Sequence, residues 1–200
     1  MGTYESQDGR EAVSAPAAEQ AQAPTRSVAS ELWDWTKSIA VALVIVILLN
    51  MYVFNLSTVK GHSMEPTLRE KEWLFVNKFS FLIGHPDRGD VVILKDPDMQ
   101  SVDRQYLVKR VVATPGDNVE IRGGKLYVNG EAVSEPYTDI KIEDGDRGPI
   151  IVEEGRYFVM GDNRHQLASK DSRTFGTVSE KAIQGKAEFI LWPPRQMGGL

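Results

Sequence analysis

A serine placed between a glycine and a proline, and a lysine inside a run of β-branched residues, are the features of this 200-residue sequence with the clearest reactive potential. The serine stands in Val59-Lys-Gly-His-Ser63-Met-Glu-Pro-Thr-Leu68. Gly61 and Pro66 turn the backbone on either side of Ser63 and expose it. A serine hydroxyl is a weak nucleophile until a neighbouring base takes its proton. Turn and helix-cap serines keep the same company, so the stretch alone does not decide. The lysine stands in Tyr106-Leu-Val-Lys109-Arg110-Val-Val-Ala-Thr-Pro-Gly-Asp117. Strand alternation puts Leu107, Lys109 and Val111 on one face and Val108, Arg110 and Val112 on the other, so one of the two cations projects among apolar neighbours. Burial disfavours an ammonium and lowers its pKa, which turns a lysine into a general base near neutral pH. An edge-strand lysine that blocks aggregation reads the same way.

A third stretch, Met160 to Gly176, is dense in small polar and charged residues. Asp162, Arg164, Asp171 and Arg173 can pair among themselves and stiffen a loop, and a serine there can orient a buried lysine. Histidine offers a rival base: Ser63 with His165 and Asp162 or Asp171 would make a Ser-His-Asp arrangement. His62, adjacent to Ser63, points away from its side chain, and His85 beside Pro86 reads as an exposed turn residue. Cysteine is absent, and the three histidines are too few for a histidine-built metal cage. Thiolate catalysis, disulfides and Cys-based zinc or iron–sulfur sites are thereby excluded. A net charge of −5 argues against a general nucleic-acid binder.

Positioning these residues requires a core, and 42% hydrophobic against 26% charged residues allow one. The composition is segregated along the chain. Residues 1–30 are Ala, Gln, Glu, Pro and Ser with almost no large apolar side chain, which predicts a disordered N-terminal tail. Residues 31–57 follow as an expected transmembrane anchor. From Ser38 to Phe54 there is no charge and one strongly polar residue, Asn50. Extending the run from Trp35 to Leu56 reaches the ~20 residues a helix needs to cross ~30 Å of hydrocarbon. Trp33, Trp35 and Tyr52 suit its two interfaces. A cleavable leader fits less well, because the run starts late and no Ala-x-Ala site follows. Arg26 and Lys37 before the span, against Lys60, Arg69 and Lys71 after it, do not place the N-terminus inside.

Residues 58–200 change to short runs rich in Val, Ile, Tyr and Phe, punctuated by Gly84-His-Pro86, Pro115-Gly-Asp117, Gly123-Gly124, Asn129-Gly130 and Gly161-Asp-Asn163. That rhythm predicts a mostly β fold: an antiparallel β-sheet domain preceded by a single transmembrane α-helix. Asn118 to Val128 reads as a hairpin with a Gly-Gly turn, and Pro136 to Pro149 as a surface excursion between strands.

Four boxes occur in order after the span: Ser63-Met-Glu-Pro-Thr-Leu68, Arg88-Gly-Asp-Val-Val92, Lys109-Arg-Val-Val112 with Pro115-Gly-Asp117, and Gly161-Asp-Asn-Arg164 with Asp171-Ser-Arg173. Together they resemble the bacterial type I signal peptidases, membrane-bound Ser/Lys endopeptidases, over roughly Trp33 to Gly198 and in the compact Gram-positive form. The resemblance implies Ser63 as nucleophile, Lys109 as general base and the Ser63 backbone N–H as an oxyanion donor. A second donor is a serine hydroxyl in part of the family; Gly61 stands in its place here. The base-orienting serine matches Ser169 when counted back from Asp171. Counted forward from Gly161 it would be Leu167, so the loop carries a two-residue insertion around His165 to Ala168. Asp171 and Arg173 match a structural ion pair near the site, and Val59, Met64, Leu68, Leu107 and Val108 match a pocket for small side chains. The implied reaction needs no metal or cofactor. Implied partners are signal peptides with small residues at −1 and −3, the lipid bilayer and the export machinery, with no nucleic acid. The implied location is the bacterial cytoplasmic membrane, single-pass, with the catalytic domain outside. Two alternatives of other classes stand beside this: a membrane-anchored β binding module, and a soluble Ser/Lys self-cleaving regulator, which would carry a DNA-binding helical domain instead of a tail and a span.

Overall fold

The computed structural model describes residues 2, 28–98 and 106–200. The expected tail therefore lies outside the described residues, apart from Gly2 and its last three positions. The chain divides into two compact units, the second running from Leu43 to Leu200 and holding every candidate site residue.

Helix α1 spans Val28–Tyr52 and buries none of its residues. By length and composition it is long and apolar enough to cross a membrane. An apolar surface on every face suits lipid better than a one-sided core contact. Two of its hydroxyls are returned to the helix backbone, Thr36 Oγ1 donating to Leu32 O and Ser38 Oγ to Asp34 O, which satisfies them without water. The helix starts three residues before the expected boundary at 31 and ends at Tyr52 rather than 57. Phe54–Thr58 leaves the helix to form a strand, β1, because its aromatic and backbone groups have a partner: the Phe54 ring packs 5.6 Å from Phe75.

The remaining elements in chain order are β2 (Trp73–Asn77), the short helix α2 (Ser80–Ile83), β3 (Val91–Lys95), β4 (Tyr106–Ala113), β5 (Asn118–Arg122), β6 (Lys125–Val128), β7 (Glu131–Ala132), β8 (Arg147–Ile151), β9 (Arg156–Met160), α3 (Ser172–Phe175), β10 (Val178–Ser179), β11 (Ile183–Trp192) and β12 (Gly198–Gly199). All pairings are antiparallel. One sheet has the order β1-β2-β11-β3-β4-β9-β10, with β12 also on β11; a second has the order β7-β6-β5-β8. The β5–β6 hairpin turns at Gly123 and Gly124, with φ of 57° and 74°, the left-handed pair that a two-residue primed turn demands. The excursion expected at Pro136 to Pro149 ends early, since Arg147 to Ile151 adds to the second sheet beside β5.

Two core clusters matter for the site. Val59, Met64, Leu68, Leu74, Val91 and Ile93 are among those packed under the serine segment. Val112, Ala113, Phe158 and Met160 pack the inner strands against the second sheet. Each large side chain among them contributes roughly 1.5–3 kcal/mol when fully buried, and Val108, next to Lys109, packs against the first cluster, so the strand that carries Lys109 and the loop that carries Ser63 share it.

Candidate active site

Ser63 sits in the loop that closes the β1–β2 hairpin. Thr58 and Trp73 pair at the strand ends. Beyond them Val59 N–H donates to Glu72 O and Lys71 N–H to Val59 O, both at 2.9 Å. Residues 59–72 are thus pinched into a closed loop. Gly61 adopts φ 83°, where an L side chain is strained, and the chain then turns back so that Leu68 N–H reaches Met64 O at 2.9 Å. Met64 and Leu68 are buried and anchor the loop from below.

Lys109 comes from the middle of β4, opposite Val92 of β3. Its side chain is almost wholly buried, at 2% exposure. Lys109 Nζ lies 2.6 Å from Ser63 Oγ and 2.8 Å from Val108 O, with no carboxylate in direct contact among the described residues. Burial pushes the ammonium down to about 8, against the weaker pull of Asp171 in the other direction. A lysine with that pKa is partly neutral near physiological pH and can accept a proton from the hydroxyl it touches.

The expected alternation did not expose one of the two cations: Arg110 is buried as well, at 7%. Its charge is kept and matched. Nε and Nη2 donate to the two oxygens of Asp162 at 2.9 and 2.7 Å, and Nη1 donates to Gly89 O. Charges of the Met160–Gly176 stretch, expected to pair among themselves, do so only at Asp171 and Arg173, joined by bonds of 2.9 and 2.7 Å. Arg164 instead reaches Glu135, 2.6 Å away and 29 residues back, and Arg173 also binds Asp144. Burial opposes ionisation of Asp171, yet Arg173 and the Gly161 N–H hold its carboxyl below the usual range.

These pairs hold a strap against the serine loop. Gly161 packs so closely that a Cβ there would collide with Ser63 O and Ser169 Oγ. Asn163 N–H donates to Ser63 O at 3.1 Å, and Asn163 Nδ2 donates to His62 O at 3.0 Å. Ser169 is buried in this contact, with its hydroxyl beside the Asp171 carboxylate, which it helps to keep ionised. It is therefore brought beside Ser63 but is not bonded to Lys109. His165 turns elsewhere: its ring is half exposed and faces Glu143 at 3.4 Å and Asp139 at 3.8 Å. The Ser-His-Asp arrangement is not formed. His62 is exposed and bonded to Glu65, and His85 is exposed and bonded to Glu180.

A groove of about 860 Å³ opens over the pair, with Ser63 and Lys109 in its wall. Of the five expected pocket residues, Val59, Met64, Leu107 and Val108 line it; Leu68 does not, being completely buried in the core beneath. Ile93, Tyr106 and the strand residues Leu56, Ser57 and Thr58 line it too, and sequence reasoning had not named them. β1 is an edge strand. β4 is bonded to β9 only from Arg110 onward, so Tyr106 to Lys109 also present a free edge among the described residues. An extended peptide between these edges would find backbone partners and a fixed approach to Ser63 Oγ.

A family model described as signal peptidase, peptidase S26, matches residues 32–192. Signal peptidase I of Bacillus licheniformis is 40% identical over 174 residues, 82% of this chain and 90% of that protein. Signal peptidase IB of Staphylococcus aureus is 38% identical over 180 residues, 82% of this chain and 91% of its own. A crystal structure of a signal peptidase I from Enterococcus faecalis covers 52% of this chain and 97% of that one at 31% identity, with a TM-score of 0.43.

Proposed function

The chain belongs to the peptidase S26 family of signal peptidases, serine proteases that cleave signal peptides in a membrane setting, and from that premise we propose that Ser63 is the nucleophile and Lys109 the general base. The observation that carries this assignment is the 2.6 Å approach of Nζ to Oγ in a part-buried contact that no carboxylate joins among the described residues. Neutral Lys109 takes the hydroxyl proton as Ser63 Oγ attacks the scissile carbonyl. The carbonyl oxygen becomes an oxyanion and is stabilised by the Ser63 N–H, a kind of contact worth ~3 kcal/mol in other hydrolases. The Lys109 ammonium then protonates the leaving amine. Water, deprotonated in turn by Lys109, releases the acyl group from Ser63. Ser169, buried beside Gly161 and the Ser63 carbonyl, is the residue that orients the lysine.

An extended substrate points alternate side chains to the same side. Residues −1 and −3 therefore share the wall made by Val59, Met64, Ile93 and Val108, which supports a preference for small side chains. Asp171 and Arg173 hold the strap. Val28–Tyr52 forms the anchor, and the β part from Phe54 onward is the catalytic domain. That domain sits on the extracytoplasmic side with one span, within reach of the export machinery that delivers its substrates. A binding module without activity would have no use for a buried, unpaired lysine against a serine.

Cleavage of a purified preprotein in detergent tests the assignment. Ser63→Ala and Lys109→Ala each lose at least about a thousandfold in kcat/KM, while His165→Ala stays within about twofold. Normal cleavage by Lys109→Ala would overturn the dyad.

A further inference from the structure

We infer that Asn163 is a positioning residue for the oxyanion donor: through Nδ2 it holds the His62–Ser63 peptide so that the Ser63 N–H faces the groove. The inference rests on the Ser63–Lys109 reading above.

His62 C=O and Ser63 N–H belong to one planar trans peptide and point in opposite directions. Fixing one end of that plane fixes the other. Asn163 Nδ2 donates to His62 O at 3.0 Å. Asn163 Oδ1 accepts from His165 N–H at 3.2 Å, which sets the amide so that its donor end, not its acceptor end, meets His62. The Asn163 backbone N–H holds the next peptide through Ser63 O at 3.1 Å. One residue thus grips both peptide units that flank the nucleophile. The turn contributes one more donor to His62 O, Glu65 N–H at 3.2 Å. Ser63 N–H itself donates to no acceptor among the described residues, and Ser63 lines the groove. Donation into the His62 carbonyl also polarises the peptide and makes its N–H a better donor. Asn163 never touches the reacting atoms; it acts through the peptide it holds.

The effect should appear only when charge develops on the substrate carbonyl. The full chain in detergent is compared as wild type, Asn163→Asp and Asn163→Ala. Asp keeps the acceptor for His165 N–H and removes the donor; Ala removes both but adds no charge. The probes are a signal-peptide-derived peptide aldehyde ending in Ala at −1, and the matching alcohol. With the aldehyde, Ser63 Oγ forms a bond to the carbonyl carbon, the π pair moves to oxygen, and the hydroxyl proton passes to Lys109. The alcohol binds without forming that oxyanion. Each kcat is read on the alkaline plateau, so that a shift in lysine titration does not enter.

Both variants are expected to lose about 10–100-fold in kcat and in aldehyde affinity together, somewhat less than removal of a donor itself. KM and alcohol affinity stay within about twofold, and the pH midpoint of Asn163→Ala is unchanged. Unchanged aldehyde affinity, or equal weakening of aldehyde and alcohol, would overturn the inference and leave Asn163 as a fastener of the loop. Should Asn163→Ala fail to fold, Asn163→Asp decides on the same two affinities. Tight aldehyde binding by Ser63→Ala would instead overturn the dyad reading itself.

Discussion

Strand β4 carries two neighbouring buried cations and treats them in opposite ways. On one side Arg110 meets both oxygens of Asp162, the Gly89 carbonyl and, 4.1 Å away, the Tyr137 ring. Behind it Arg164–Glu135 and Arg173–Asp171 repeat the arrangement. On the other side Lys109 meets, among the described residues, only a hydroxyl and a carbonyl. A guanidinium cannot give up its proton in a protein, so burying one demands a partner. An ammonium can, and a buried lysine without a contacting carboxylate moves toward its neutral form. The paired region holds the strap; the unpaired residue is left ready to act as a base. What separates a structural charge from a reactive one here is pairing, since burial is nearly the same.

Breaking the paired side should have the largest effect. Asp162→Ala leaves Arg110 buried with no carboxylate, and stability is expected to fall by about 3–5 kcal/mol, read from urea unfolding. Breaking the unpaired side should change sign. Lys109 has a folded pKa of about 8 against an ordinary 10.5, a shift that corresponds to about 3 kcal/mol of destabilisation when the group must be charged. Lys109→Met is therefore expected to be inactive yet more stable at pH 7, by up to about 3 kcal/mol. The penalty is complete below pH 8 and fades as pH rises to the unfolded value, so the stability gap should close between pH 8 and 10.5. A gap that stays constant across that range would refute the neutral-lysine account.

The rate should follow the same proton. Since only neutral Lys109 can take the Ser63 proton, kcat/KM should rise with pH to a midpoint near 8 and level off above it. The smallest effect belongs to the distant carboxylates that favour the ammonium. Asp96 is one of them, and it is tied to Lys170 at 2.8 Å. Asp96→Asn should move the midpoint down by a fraction of a unit and leave the alkaline plateau intact, as a rate profile would show.

The sequence was most legible where pattern is local. Gly123-Gly124 and the alternating run around Lys109 identified the hairpin and the strand that they form. The apolar run up to Tyr52 marked the helix but not its end, because Phe54 and Leu56 are as apolar as the residues before them; only pairing with β2 shows that they are strand. The partners of Arg110 and Arg164 were illegible for a different reason. They lie 52 and 29 residues away, and no local spacing encodes which carboxylate a fold will deliver. Asn163 stands in a turn and a box that the sequence marks, but its partner is illegible there: its side chain meets a backbone carbonyl 101 residues distant in sequence, and an asparagine in a turn has ample local reasons to be there. Leu68 was misplaced because apolar character is shared by the wall of a groove and the core beneath it.

Gly161 carries a consequence for genetics. Every missense change of a glycine codon adds at least one carbon, and here that carbon would fall on Ser63 O and Ser169 Oγ. Alleles at this codon should therefore be all or none, whereas alleles at the codon for Asn163 should be graded. A selection for partly impaired alleles, plated at several levels of expression, would recover the second kind and leave a gap in the map two codons before it.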